Sequence, residues 1–199
     1  MKAQLLVIAL AGCSVFSRSS PVEVRYFSPE PAARATRTPP ATAPERPDDQ
    51  RASIRIGRIS PSEHLREEIV RRESPYEVDV YSTRLWTEPP DVYVRRALER
   101  ALFERRGLDE AVRGATLTLH VEVTGFEETV EPQHAGRVQL HYRLEDARRV
   151  VHSGVITVER PTAGADFSAV VAAIGAALDE ATARVADAVV RELAAQQST

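Results

Sequence analysis

Three runs of alternating apolar and polar residues constrain the fold of this chain more than any other feature. They cover residues 115–127, 137–145 and 149–159. A period of two places successive side chains on opposite faces of a strand, so each run predicts a strand with one buried face and one solvated face. Three such strands in succession predict an antiparallel meander.

A long amphipathic helix is predicted directly after the meander, from Asp166 to about Ala195. Asp166 is suited to the N-cap, although Ala169 excludes a capping box. The apolar residues recur at helical spacing, at Phe167, Val170, Val171, Ile174, Leu178, Ala181, Val185, Val189 and Leu193. Alanines fill much of the remaining surface, so a second contact face for another subunit stays open. The interpretation that we favour is a helix that simply lies on the sheet.

The first half of the chain predicts shorter elements. Residues 22–28, 53–59 and 76–86 alternate and carry β-branched and aromatic residues, which indicates strands. Residues 64–72 are ambiguous, because their composition favours a helix whereas the prolines on either side favour a short element.

Another helix is predicted to begin at Pro89-Pro90, since proline lacks the N–H group that the first turn of a helix leaves unpaired. Thr87 or Glu88 is suited to cap this helix, and Gly107 ends it. The element order predicts an α+β fold. Two main helices, the second long and C-terminal, would pack on one face of an antiparallel sheet.

The first thirteen residues predict export and lipid attachment. Lys2 precedes a short apolar run, which is the layout of a secretory signal and is only about half of the roughly 20 residues that span a bilayer. Leu10-Ala11-Gly12-Cys13 resembles the lipobox of bacterial lipoproteins. We therefore expect a signal peptide over residues 1–12, cleavage between Gly12 and Cys13, and lipidation of Cys13. The alternative is an ordinary signal peptide with an incidental cysteine.

The expected organisation after cleavage has three parts. Residues 13–28 would form the lipidated N-terminus and the first strand, and residues 53–195 a single α+β domain. Residues 29–52 contain six prolines and nothing bulky and apolar. They predict either a linker that lets the domain reach from the membrane or a long loop between two strands of one sheet.

Composition and motifs argue against several classes of function. The chain has 199 residues and a formal net charge of −3, so it carries no global attraction for nucleic acid. Its single cysteine can form neither an internal disulfide nor a Cys-rich zinc site. The sequence has no Gly-rich phosphate loop, no G-x-S-x-G and no H-E-x-x-H. We therefore expect no cofactor, no metal and no catalytic activity.

Two histidines on the polar face of the meander are candidate metal ligands. If the first two strands pair as a simple hairpin, Leu117 faces Leu144 and His120 faces His141. The histidines would then lie within metal-binding distance, but a third ligand is not visible and a bulge would change the register. Two exposed histidines without a metal are the interpretation that we favour.

Several motifs occur together along the middle of the chain. The most telling is the Trp-x-x-Pro-Pro step of Trp86–Pro90 into a helix. The others lie at 55–59 (Arg-Ile-Gly-Arg-Ile), 64–72, 74–78 and 96–103, with Tyr26-Phe27 before them and the long final helix after them. With these motifs the chain resembles the ABC-type transport auxiliary lipoproteins, the PqiC-like family, over nearly its whole mature length.

This resemblance implies a periplasmic lipoprotein, anchored in the outer membrane by fatty acyl chains such as palmitate on Cys13. It would serve a mammalian-cell-entry (MCE) type system that moves lipids or other hydrophobic molecules between the two membranes. The expected partners are an MCE-domain protein and the ABC transporter complex, and the expected role is docking or scaffolding. A homo-oligomer stays open. The alternatives are a stand-alone lipid- or ligand-binding lipoprotein and an outer-membrane assembly lipoprotein.

Overall fold

The computed structural model describes residues 22–31, 52–111, 117–164 and 166–197. Its strands are β1 (Arg25–Phe27), β2 (Ser53–Pro61), β3 (Glu68–Ser74), β4 (Glu77–Trp86), β5 (Asp109–Glu110), β6 (Leu117–Thr129), β7 (Ala135–Glu145) and β8 (Val150–Pro161). Its helices are α1 (Pro90–Glu99), which continues as a wider π-helical segment over Arg100–Arg105, and α2 (Phe167–Gln197). The predicted α+β class and the long C-terminal helix are confirmed.

One mixed sheet is built around β6. On one side, β6 pairs with β7 and β7 pairs with β8, both antiparallel, which confirms the meander. On its other side, β6 pairs in parallel with β2 along its first half and with β3 along its end. β4 continues the sheet antiparallel to β3, β1 lies parallel to β4, and β5 lies parallel to β2. The sheet is therefore antiparallel in the meander and the β3–β4 hairpin, and parallel where β2 and β3 join β6.

The ambiguous segment 64–72 contributes most of β3. Its adjacent apolar residues Ile69 and Val70 are both buried, and the pairing of β3 with β4 is irregular between Glu68 and Val70. β3 also lies between two partners, β4 and β6. This tertiary pairing outweighs the helical composition of the segment, because helix propensity amounts to only a few tenths of a kcal/mol for most residues.

The core lies between the two helices and one face of the sheet. At its centre the Trp86 ring packs edge-on against Phe126, with ring centres 5.3 Å apart. Tyr93 of α1 stacks on the same Phe126 ring at 6.3 Å. Aromatic pairs of this kind contribute about 0.5–1.5 kcal/mol each beyond the burial of their area. The Trp-x-x-Pro-Pro motif therefore fixes α1 against the central strand.

The start of α1 corrects the expected cap. Pro89 is the N-cap residue, and no side chain caps this helix. The two residues proposed as caps have other partners: the hydroxyls of Thr87 and Tyr93 share a hydrogen bond of 2.6 Å, and Glu88 accepts one of 3.0 Å from Arg96. A side-chain cap is less needed here because a proline at the first helical position has no N–H to satisfy.

Two other helix ends agree with prediction. Gly107 follows the π-helical segment with a φ of 65°, a conformation that glycine adopts without strain. The Leu108 N–H then donates to the Leu102 carbonyl at 3.1 Å and closes the helix end. At the start of α2, the Asp166 carboxylate accepts a hydrogen bond of 3.1 Å from the Ala169 N–H, as an N-cap does.

Helix α2 approaches the sheet closely at Gly136 of β7. A Cβ atom on Gly136 would lie 2.3 Å from the backbone nitrogen of Ile174. Only glycine leaves room for the helix backbone at this position, so the meander and α2 pack in direct contact.

We predict that Gly136→Ala lowers the free energy of unfolding by about 1–3 kcal/mol, because α2 must move away from the sheet. Gly164→Ala is the matched control, since its Cβ would meet its nearest neighbour at an ordinary 3.6 Å. Urea denaturation measures both variants. Equal effects at the two positions would contradict the close approach of α2.

Candidate docking surface

The sheet register separates the two histidines that were considered as metal ligands. His120 lies opposite Arg143, and His141 lies opposite Glu122. The expected pairing of His120 with His141 is therefore wrong. Within the described ranges, no group of three or more His, Cys, Asp or Glu side chains is arranged to hold a metal ion.

Two features of the β6–β7 hairpin set the observed register. Leu144 pairs with Leu119, not with Leu117 as a simple hairpin predicted. The turn occupies residues 130–134, and the register shifts at Thr124, which forms a bulge. An extra residue in one strand reverses the alternation beyond it. Val123 and the odd-numbered residues before it face the core. Beyond the bulge, the even-numbered Phe126 faces the core instead.

The predicted signal peptide, its cleavage position between Gly12 and Cys13, and lipidation of Cys13 lie outside the described residues. So does most of the proline-rich segment, residues 32–51. The strands that flank this segment, β1 and β2, belong to the same sheet.

Residues 27–30, which we call the N-terminal clamp, hold the first described segment of the chain against both helices. The Phe27 ring packs edge-on against Phe167 at the start of α2, with ring centres 4.8 Å apart. Pro29 is buried, and its carbonyl oxygen lies so near α2 that a Cβ on Gly175 would come within 2.3 Å of it. A side chain at position 175 would displace the clamp.

Glu30 completes the N-terminal clamp by ion pairs to α1 and the segment after it. Its carboxylate contacts Arg96 at 2.9 Å and Arg100 at 2.7 Å. Glu88 binds the other side of Arg96, and this hydrogen bond is the largest of the interactions that raise the pKa of Arg96 and lower that of Glu88. The clamp thus ties the N-terminal segment to the helices as well as to the sheet.

Exposed apolar side chains recur along β4, in the turn before it, and in β1 and the residues that lead into it. We call these residues the apolar corner: Val22, Val24, Tyr26, Tyr76, Val78 and Val80. Their exposed fractions range from 43% to 98%, and they are six of the nine large apolar residues exposed in the described part of the chain. Single exposed apolar residues are ordinary, whereas a concentration of them indicates an interaction surface.

The apolar corner coincides with an open sheet edge. β1 covers only Arg84–Trp86 of β4. Among the described residues, no strand pairs with the outer side of 77–83. An unpaired edge presents N–H and C=O groups that can accept a further strand. Glu77 and Asp79 are exposed on this edge between the valines, so the edge is acidic as well as apolar.

A row of alternating charges lies across the sheet beside the corner. Glu127 of β6 is fully buried and binds Arg72 of β3 at 2.8 Å and Arg137 of β7 at 2.5 Å. Arg137 also contacts Glu159 of β8 at 3.5 Å. The two arginines offset the cost of burying the Glu127 carboxylate, and their ion pairs with it connect β3, β6 and β7.

The neighbouring carboxylate, Glu128, points to the helix face and has other partners. The Tyr81 hydroxyl donates to it at 2.6 Å, and His134 contacts its other oxygen. Burial, and then the hydrogen bond to Glu128, raise the pKa of Tyr81 to about 12. Glu127 and Glu128 thus have separate structural roles. Their burial was not predictable from the sequence, because adjacent acidic residues are usually solvated.

Comparison with known proteins identifies the family of this chain. The sequence profile of the ABC-type transport auxiliary lipoprotein component matches residues 36–186. The chain belongs to this family. No curated protein matches the chain by sequence.

Solved structures related to this auxiliary lipoprotein share its fold. Protein XCC0632 from Xanthomonas campestris has 27% sequence identity and a TM-score of 0.61, over 70% of this chain and 85% of that chain. A second crystal structure, of an uncharacterized protein, has 18% identity and a TM-score of 0.61, over 69% of this chain and 92% of that chain. In the described part of the auxiliary lipoprotein, neither α1 nor α2 combines the length and apolar character needed to cross a membrane.

We predict that Glu127→Gln lowers the free energy of unfolding by about 2–4 kcal/mol, because it leaves two arginines without their shared carboxylate. Glu159→Gln is the control in the same row, since its carboxylate is 55% exposed and should contribute less than about 1 kcal/mol. Denaturant unfolding at neutral pH compares the two variants. A loss of similar size in both would contradict the importance of the buried carboxylate.

Proposed function

We propose that this chain is a lipid-anchored, non-catalytic component of an MCE-type ABC transport system, tethered by Cys13 to the periplasmic face of the outer membrane. Its role is to dock an MCE-domain protein of the transport complex, so that lipids or other hydrophobic molecules pass between the membranes. The observation that carries the proposal is the apolar corner beside the open edge of β4.

Strand addition is the docking mode that this surface supports best. An incoming strand would bond to the outward main-chain groups of residues 77–83, which supplies affinity independent of sequence. The Val80 N–H donates to the Asp79 carboxylate at 2.7 Å, and the incoming strand would have to replace that bond. Val78 and Val80 would provide apolar contacts, and Glu77 and Asp79 would favour a partner strand that carries lysine or arginine. The same two acidic residues oppose pairing with a second β4 edge, since like charges would meet.

The tether and the N-terminal clamp support a docking role close to the membrane. Val22 lies nine residues after Cys13, and nine residues span at most roughly 30 Å. Because the clamp holds residues 27–30 against both helices, only the residues before the clamp set the reach of the tether. The apolar corner would therefore stay near the anchored surface.

The leading alternative, a stand-alone lipid-binding lipoprotein, requires an apolar cavity between the helices and the sheet. In the described residues this layer is filled by the Trp86, Tyr93 and Phe126 rings and the side chains around them. Docking needs no such cavity. The outer-membrane assembly alternative differs in its partner, so the protein captured by crosslinking distinguishes it.

We predict that Cys13→Ser abolishes incorporation of radiolabelled palmitate and moves the protein out of the outer-membrane fraction. The thiol is the only group in the chain that can form the thioether, and stable anchoring requires its acyl chains. Sucrose-gradient fractionation and autoradiography measure the two effects. Unchanged labelling of the variant would contradict lipidation at Cys13 without bearing on the docking surface.

We predict that Val78→Lys and Val80→Lys each weaken crosslinking to the MCE-domain partner at least tenfold, because each places a charge in the apolar contact. Both side chains are exposed, so the free energy of unfolding should change by less than about 0.5 kcal/mol.

Val150→Lys is the matched control, since Val150 is similarly exposed on β8, away from the corner. Crosslinking that is equal in all three variants, or lost in all three, would contradict docking at the corner. If the protein self-associates and the β4 variants abolish that self-association, the edge binds a second copy of the chain instead.

A further inference from the structure

The polar face of the sheet contains a cleft of about 510 Å³ that the docking role does not use. Two rows of side chains across β2, β6, β7 and β8 line it. The first row is Arg58, His120, Arg143 and Ser153, and the second is Ser60, Glu122, His141 and Val155. The first row is basic, whereas the second contains a carboxylate and an exposed valine.

His120 forms the floor of the first row. Its ring lies over Gly57, where a Cβ atom would come within 2.6 Å of the imidazole. Its Nδ1 accepts a hydrogen bond of 3.1 Å from the Arg58 N–H. The proton of the neutral ring is therefore on Nε2, which makes that atom a donor. The Arg-Ile-Gly-Arg-Ile motif thus builds a recess on the polar face.

Two arginines flank this recess from the strands on either side of β6. Strands two positions apart are separated by roughly 9–10 Å, so long side chains from both can reach one ligand between them. The guanidinium of Arg58 is exposed and contacts no carboxylate in the described residues. Arg143 is 61% exposed and lies 3.7 Å from Glu145, which also lies 3.6 Å from Nε2 of His120. Both separations from Glu145 exceed hydrogen-bond length, so Arg143 and the Nε2 donor of His120 keep capacity for another anion.

We propose that this cleft binds a phosphate ester, with the phosphate between Arg58 and Arg143 above His120. The planar fork of a guanidinium matches two phosphate oxygens, which makes arginine the preferred side chain for such a ligand. The hydroxyl of Ser153 in the same row adds a further donor. The volume of the cleft leaves space beyond the phosphate for an organic group against Val155.

Glu122 gives the cleft a preference among phosphate esters. It lies two residues from His120 on β6, a separation of about 7 Å along the strand. A phosphate in the first row therefore places an ammonium group on a two-carbon arm close to this carboxylate. The second row favours such a zwitterion and disfavours an ester that carries a second anionic group. This inference goes beyond the proposed docking role and does not depend on it.

Calorimetric titration of the full-length protein in detergent tests the site with phosphoethanolamine, glycerol 3-phosphate and inorganic phosphate as probes. We expect phosphoethanolamine to bind most tightly. Arg58→Gln and Arg143→Gln should each weaken its binding at least tenfold, and Glu122→Gln should remove its advantage over glycerol 3-phosphate. Glu145→Gln should strengthen binding severalfold, because it removes the internal carboxylate that competes for His120 and Arg143.

Arg184→Gln is the control, because this exposed arginine lies on α2 and not in the cleft. An equal loss in this variant, or unchanged binding in both cleft variants, overturns the proposal, as does the absence of binding at millimolar probe. The unfolding midpoint of every variant separates lost binding from lost fold. A monomeric short-chain phosphatidylethanolamine then distinguishes the two sources of the ligand: tighter binding than phosphoethanolamine indicates a lipid headgroup, and weaker binding indicates a soluble ester.

Discussion

The pairing of β6 on both sides is the interaction on which the rest of the structure depends. β7 covers one edge of this strand throughout, while β2 and β3 share the other edge in sequence. The bulge at Thr124 lies near the boundary between these two partners and turns Phe126 toward the helices. Because Trp86 and Tyr93 pack on Phe126, the position of α1 and the direction of the β3–β4 hairpin both follow from this one strand.

The two faces of the sheet have separate tasks. The helix face buries aromatic and aliphatic side chains, admits the backbone of α2 at Gly136, and receives the N-terminal clamp between the helices. The other face is polar, with a charge row around the buried Glu127 and a cleft above His120. The open edge of β4 belongs to neither face of the sheet. A body of this kind can bind partners and ligands at its rim and polar face without opening its core, which suits an auxiliary lipoprotein of a transport system.

The sequence predicted the elements whose signal is local. The meander and α2 followed from periodicity, and Asp166 and Gly107 marked helix ends by their own chemistry. Long-range pairing was not predictable in this way: β3 is a strand because β4 and β6 lie on either side of Ile69 and Val70, against its helical composition. The histidine register failed because the turn at 130–134 lies later in the chain than a simple hairpin predicted, and the bulge at Thr124 offsets only one residue of that difference. The apolar corner was hidden as well, since Val78 and Val80 alternate like residues of a covered strand.

Hydrogen–deuterium exchange of the chain, alone and crosslinked to the proposed MCE-domain protein, tests whether the edge of β4 receives a partner strand. A strand added at this edge pairs with the outward main-chain N–H groups of residues 77–83, which slows their exchange. Docking at this edge predicts new protection confined to this segment and to the apolar corner beside it. Unchanged exchange over 77–83, with protection on α1 or α2 instead, would contradict it.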